Sequence, residues 1–242
     1  MSAMVGTEVM TIILTSPLFG LALTLLVYAL ALKAYQHSNH NPLVNPVIVS
    51  IAVIISILTL TNTHYADYFA STELIHFFLG PATVALAIPL YQQVHRIKKL
   101  LLPIVITLLA SIVIGCLSAV SIAALLGASV EVQLSLAPKS VTTPVSMGIS
   151  NYIGGIESLT AGLTVLTGIL GAILGTWIFA LLKIKDDAIK GIAMGLTSHG
   201  IGAARAFNIS NEMGAFAGLA MALATFSTAL ILPLVMSWYG LL

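Results

Sequence analysis

Apolar residues run along this chain in stretches close to membrane-spanning length, at roughly 10–32, 44–61, 73–94, 101–126, 138–156, 157–182, 188–206 and 213–239. About twenty such residues cross the hydrocarbon core of a bilayer as an α-helix. Polar residues gather between them in short connectors, among them KAYQHSNHN, TNTHYADY, HRIKK, SVEVQ and KIKDDAIK. The pattern predicts an all-α, polytopic membrane protein of seven to eight hydrophobic segments, forming one transmembrane domain over 1–242. The lipid bilayer is its first implied partner. A membrane β-barrel would need short segments of alternating polarity, and the chain has none.

Two segments are interrupted by proline. LGPATVALAIPLY holds Pro81 and Pro89, and APKSVTTPVSMGISNYIGG holds Pro138 and Pro144. Proline inside a helix removes a hydrogen bond and clashes with the preceding turn. Within a bilayer the freed backbone groups are tolerated only where protein or a water-filled cavity meets them. All four prolines therefore mark expected helix breaks, in the broken or re-entrant architecture from which transporter sites are built. An ungapped offset of 57 overlays Pro46 on Pro103, Pro81 on Pro138 and PATV on PKSV, which makes 46–91 and 103–148 a candidate repeat.

The second broken segment also carries candidate chemistry. Lys139 lies away from the basic clusters that flank the other apolar segments, and a lysine at membrane depth needs a partner or water. With the hydroxyls of Ser140, Thr142 and Thr143 and a half-helix start near Pro138, it suits a small carboxylate. A second polar cluster, GIAMGLTSHGIGAARAF, contributes Ser198, His199 and Arg205. Arginine binds a carboxylate bidentately, and histidine can carry a proton near neutral pH. Glu157 falls in the first turn of a predicted helix and is, with His199, a candidate for proton coupling. Ala188, Gly191, Gly195, Ser198, Gly202 and Arg205 recur at helical steps as one face, and Ala161, Thr164, Gly168, Gly171 and Gly175 form a stripe on 157–182. Small residues on a face let a neighbouring helix approach closely.

Composition and charge narrow the choice. The chain is 59% hydrophobic and 7% charged, with a net charge of +1, which leaves no basic patch for nucleic acid. Its single cysteine, Cys116, excludes a disulfide within the chain. No metal-ligand spacing and no nucleophile–base pair is present, so no cofactor, metal or enzymatic activity is expected. Lysine and arginine near span ends set orientation. Lys33 and the trio Arg96, Lys98 and Lys99 are two segments apart, which places both inside and the N-terminus outside. Three segments separate that trio from Lys183, Lys185 and Lys190. Either 138–156 enters and leaves on one side, or the second half is inverted against the rule. MSAMVGTEVM has no positive n-region, so 10–32 is expected as a retained helix.

In order along the chain, LGPATVALAIPLY, LAPKSVTTPVSMGISNYIGGIESLTA, LTGILGAILG and SHGIGAARAF resemble the blocks of the CidB/LrgB family. The likeness starts near NPLVNPVIVS and runs almost to the C-terminus. It implies a multi-pass protein of the bacterial inner membrane and a small membrane partner of the LrgA/CidA type. It also implies two accounts of function. Bacterial members are named as holin- or antiholin-like modulators of murein hydrolase activity and autolysis. A plant plastid member is a glycolate/glycerate translocator, and bacterial relatives are linked to pyruvate movement. The family motif falls on Pro138, Lys139, Ser140, Val141, Thr142, Thr143 and Pro144, and on Ser198, His199, Gly200 and Arg205. Joined to the residue chemistry, the resemblance leads to an expected homo-oligomeric carrier or facilitator for small monocarboxylates. The alternative is a holin- or antiholin-like assembly whose small-residue stripes serve oligomerisation.

Overall fold

The computed structural model describes residues 17–38, 44–85 and 87–241. Among them every regular element is helical, and the chain divides into two compact units between Ala85 and Leu86.

The first unit holds α1 (Pro17–His37), α2 (Pro46–Leu60), α3 (Tyr65–Ser71) and α4 (Glu73–Ala85). Residues 10–16 of the first predicted span lie outside the described residues. Asn45 starts α2 by accepting the Val47 N–H at 2.9 Å, and Pro46 follows where a missing N–H costs nothing. The Thr24 hydroxyl meets the Tyr68 hydroxyl at 2.7 Å and ties α1 to α3. Pro81 lies inside α4, which continues through it to Ala85.

The second unit holds α5 (Ala87–Gln92), α6 (Val94–Leu125), α7 (Val130–Leu136), α8 (Thr143–Ile153), α9 (Glu157–Leu181), α10 (Asp187–Phe207) and α11 (Asn211–Tyr239). Pro89 falls in the first turn of α5. Among the described residues α1, α6, α9 and α11 are long and apolar enough to cross a membrane. The predicted connector HRIKK is absorbed into the start of α6, whose 32 residues make it longer than a bilayer core. SVEVQ, also expected as a connector, is instead helix α7. Ser129 caps it towards Val132 N, and Gln133 donates its amide to Ala128 O at 2.9 Å.

Hydrogen bonds settle how the segment around 138–156 runs. Ser135, at the end of α7, accepts the Ile156 N–H on its hydroxyl at 2.8 Å. Its carbonyl accepts from the Thr160 hydroxyl at 3.0 Å. The chain between these points therefore leaves and returns to one place. α8 is 11 residues long, about 16 Å of helix, which is half a bilayer core. It runs back along α9 with Ser146 beside Thr164 and Ser150 beside Thr160. Helices α7 and α8 form a re-entrant hairpin.

A second reversal corrects the reading of 188–206 as one continuous helical segment. His199 has φ 40° and ψ −130°, close to the first central residue of a type II′ turn. A straight helix would carry Phe207 about 30 Å from Asp187. The Ser210 hydroxyl instead donates to Asp187 at 2.7 Å, and a Cβ built on Gly202 would lie 2.5 Å from Met194 O. α10 is thus two antiparallel arms, 187–198 and 200–207. The single face expected from Ala188 to Arg205 ends at the reversal, because Gly202 and Arg205 belong to the returning arm.

The two hairpins enter from opposite ends. The first opens where α6 ends and α9 begins. The second opens where α9 ends, beside the start of α6. There Arg96 donates to Asp186 at 2.6 Å and also to Glu212. With 138–156 re-entrant, only α6 and α9 cross between the two basic clusters, so Arg96, Lys98, Lys99, Lys183, Lys185 and Lys190 share one end of this unit. Helix α6 with the first hairpin, and α9 with the second, repeat one plan in opposite directions. That pairing differs from the 46–91 and 103–148 overlay.

Glycines set the spacing of the bundle. On α9, a Cβ at Gly168 would come 2.6 Å from the His199 ring, and one at Gly175 would come 2.8 Å from Met194 Sδ. On the first arm of α10, a Cβ at Gly195 would fall onto the Ala217 carbonyl of α11. That neighbour is backbone and cannot swing aside. Gly195→Ala is therefore expected to destabilise the protein by about 1–3 kcal/mol, read as a lowered thermal midpoint in detergent. A second check lies at Asp187, where hydrogen bonds from Lys190 and then Ser210 hold the carboxyl below the usual aspartate range. A lowered folded value contributes stability above the unfolded value near 4 and loses it as pH falls through the folded one. The thermal advantage of wild type over Asp187→Asn should accordingly be full at pH 7 and narrow below about pH 4.

Candidate functional site

The tip of the first hairpin is residues 137–142. Pro138 sits in it, buried, between the end of α7 and the start of α8. Pro144 stands in the first turn of α8, where its ring suits a helix start and breaks nothing. Turn bonds from Lys139 N to Leu136 O and from Val141 N to Pro138 O satisfy the local backbone. At the far end of α8, Gly154 takes φ 86°, a left-handed conformation natural to glycine. The Lys139 ammonium donates to Gly115 O of α6 at 3.2 Å.

The tip of the second hairpin is His199. Its backbone lies at positive φ, a conformation that costs a non-glycine residue roughly 1–3 kcal/mol. Its ring is buried, with Nε2 3.0 Å from Thr164 O. A carbonyl only accepts, so Nε2 carries a proton and donates. Thr164 also holds the first hairpin. The Ser146 hydroxyl spends its proton on Thr143 O at 2.9 Å, so the Thr164 hydroxyl donates to Ser146 Oγ, also at 2.9 Å. One residue of α9 thereby fastens both hairpins, through its side chain on the first turn of α8 and its carbonyl on the second tip.

Between the first tip and the long helices lies a cavity of about 20 Å³, room for roughly one water. Ser111 and Cys116 of α6, Pro138 and Ser140 of the first tip, Leu196 of the second hairpin and Thr228 of α11 line it. Ser111, Cys116 and Thr228 lie well inside their helices, so the cavity lies deep in the bundle.

The remaining predicted residues scatter around this centre. Thr142 occupies the N-cap position of α8 without a side-chain capping bond, and Thr143 opens the helix. Ser198 is buried beside Gly171, with its hydroxyl 3.2 Å from Thr197. Arg205 is half-buried on the returning arm, six residues beyond His199. Glu157 is exposed at the start of α9, in its expected first-turn place. Among the described residues no cluster of His, Cys, Asp or Glu could hold a metal ion. Sequence reasoning gave Thr164 only as part of a packing stripe and passed over Ser111, Ser146 and Thr228. The signal for Thr164 was its place among glycines; Thr228, one of three hydroxyl residues in TFST, gave none.

A family model described as the LrgB-like family matches residues 24–238. The uncharacterized protein YwbG of Bacillus subtilis (strain 168) is 34% identical over 219 residues, covering 90% of this chain and 97% of its own length. The antiholin-like proteins LrgB of Bacillus mycoides (strain KBAB4) and Bacillus cereus (strain B4264) are each 28% identical over 225 residues, covering 93% of this chain and 98% of theirs. No solved structure matches. On the extent of these matches, and with its four membrane-length helices, the chain belongs to the LrgB-like family.

Proposed function

We propose that this protein is a membrane carrier or facilitator for small monocarboxylates of the glycolate, glycerate and pyruvate class, and not an enzyme. The observation that carries the reading is the pair of re-entrant hairpins entering from opposite ends and tied at Thr164. Helices that stop inside a bilayer leave backbone groups for protein or a cavity to satisfy, a cost that helix packing alone gives no reason to bear. Opposed half-helices around a central site are a recurrent plan of secondary transporters.

In this reading Lys139 neutralises the carboxylate after leaving Gly115 O. Ser140, Thr142, Thr143 and Ser198 hydrogen-bond its hydroxyl or keto oxygen. Arg205 draws the anion along the returning arm, and His199 or Glu157 couples a proton. No metal or cofactor takes part. The basic end of the second unit faces the cytoplasm by the charge rule, in a bacterial inner membrane, with the N-terminus outside. The working form is a homo-oligomer, with a small LrgA/CidA-type membrane protein as partner.

The relatives named antiholin-like favour a second reading, a holin- or antiholin-like modulator of murein hydrolase activity and autolysis. Proteoliposomes separate the two. The carrier takes up labelled glycolate or pyruvate saturably, and Lys139→Ala lowers uptake at least tenfold, the size of a lost charged hydrogen bond. Absence of saturable uptake, or uptake indifferent to Lys139→Ala, sinks the carrier. Leakage of unrelated solutes through large assemblies supports the second reading.

A further inference from the structure

Hydroxyls in apolar helices normally bond back to a carbonyl three or four residues earlier, as Thr24, Ser50, Thr107, Thr167 and Thr225 do here. Thr228 does not. It sits mid-way along α11, 5% exposed, and among the described residues its hydroxyl has no hydrogen-bond partner. The other buried polar side chains of the described residues all have one, from Asn45 of α2 to His199. Thr228 lines the 20 Å³ cavity. Ser140, across the cavity at the first tip, likewise has no partner for its hydroxyl among the described residues.

Thr228 is buried and Ser140 half-buried, and a hydroxyl withdrawn from bulk water without a partner is costly, so two of them facing one small space form a polar pocket. Its volume is that of one water, hence of one hydroxyl or keto oxygen; it is too small for a whole carboxylic acid. Each wall hydroxyl both donates and accepts, so the pair serves an alcohol and a ketone equally. Lys139 adjoins the pocket, since it neighbours Ser140 and bonds Gly115, next to the lining residue Cys116.

We infer that this cavity is the pocket for the oxygen on the carbon next to the ligand carboxylate, and that Thr228 is its specificity-determining residue. The ligand class is taken from the carrier reading; the pocket and Thr228 are the addition. A 2-hydroxy or 2-oxo acid satisfies both hydroxyls, whereas a plain alkanoate leaves them unpaired and is rejected for that reason.

Cys116, the chain's single cysteine, lines the pocket and is buried, so it reports on the pocket without added labels. The full-length protein in proteoliposomes is treated with a small methanethiosulfonate reagent, and the rate of Cys116 modification is followed in glycolate or acetate. Glycolate should protect Cys116 at concentrations about tenfold lower than acetate, the worth of one hydrogen bond. Thr228→Val, nearly isosteric, should bring the two acids together, and Thr228→Ser should keep them apart. The inference is overturned if Cys116 never reacts, if wild type is protected equally by both acids or by neither, or if Thr228→Val keeps the preference. Protection of this kind without labelled uptake leaves the pocket standing and removes the carrier. Uptake without protection does the reverse.

Discussion

A helix that ends inside a bilayer exposes amides and carbonyls that hydrocarbon cannot satisfy, and this protein ends helices there at two places. The architecture of its second unit follows from how those ends are met. At the first tip, turn bonds close the backbone and the Lys139 ammonium crosses to a carbonyl of α6. At the second, the His199 ring reaches the Thr164 carbonyl of α9. The ring gets there because Gly168 has no side chain to occupy its place. Through Thr164 and Ser146 the same turn of α9 also receives the start of α8. A helix stripe that reads as packing surface is therefore also the rail to which both breaks are fixed.

The outer ends of the hairpins are held by different chemistry. The first closes through hydroxyl–backbone bonds, with Ser135 and Thr160 joining α7 to α9. The second closes through charge, with Asp187 taking Lys190 and Ser210 while Arg96 bridges Asp186 and Glu212. The Arg96 pairs are partly exposed, and such pairs are individually weak. Their value is in position, because they gather the starts of α6, α10 and α11 at one end.

Much of this was legible in the residues, and the limits have physical causes. Length and hydropathy place α2, α9 and α11 within two residues, because burial in lipid leaves little choice of sequence, whereas α1 runs five residues past its predicted end and α6 begins seven before its predicted start. Prolines 138 and 144, with the polar run between them, mark the first break. The charge count left two paths for that segment, and the Ser135–Ile156 bond selects the re-entrant one. The reversal at His199 left no such trace. Its residues continue a helical face without proline, and the turn is carried by a histidine in a conformation more natural to glycine. SVEVQ read as a connector because its glutamate and glutamine outweighed its local capping. Thr228 stayed invisible, since what distinguishes it is a bond that it does not make.

The shortness of α8 has a consequence for how the protein is made. Eleven residues that include serines and an asparagine reach about half-way into a bilayer, and the hydroxyl bonds that tie them to α9 form only when that helix arrives. The partners that hold α8, Thr160 and Thr164, are synthesised after it. The first hairpin is therefore completed only once α9 is in the membrane. The His199 tip then finds its carbonyl already waiting in a helix made before it, so the two hairpins that share one anchor reach it from opposite directions in time as well as in space.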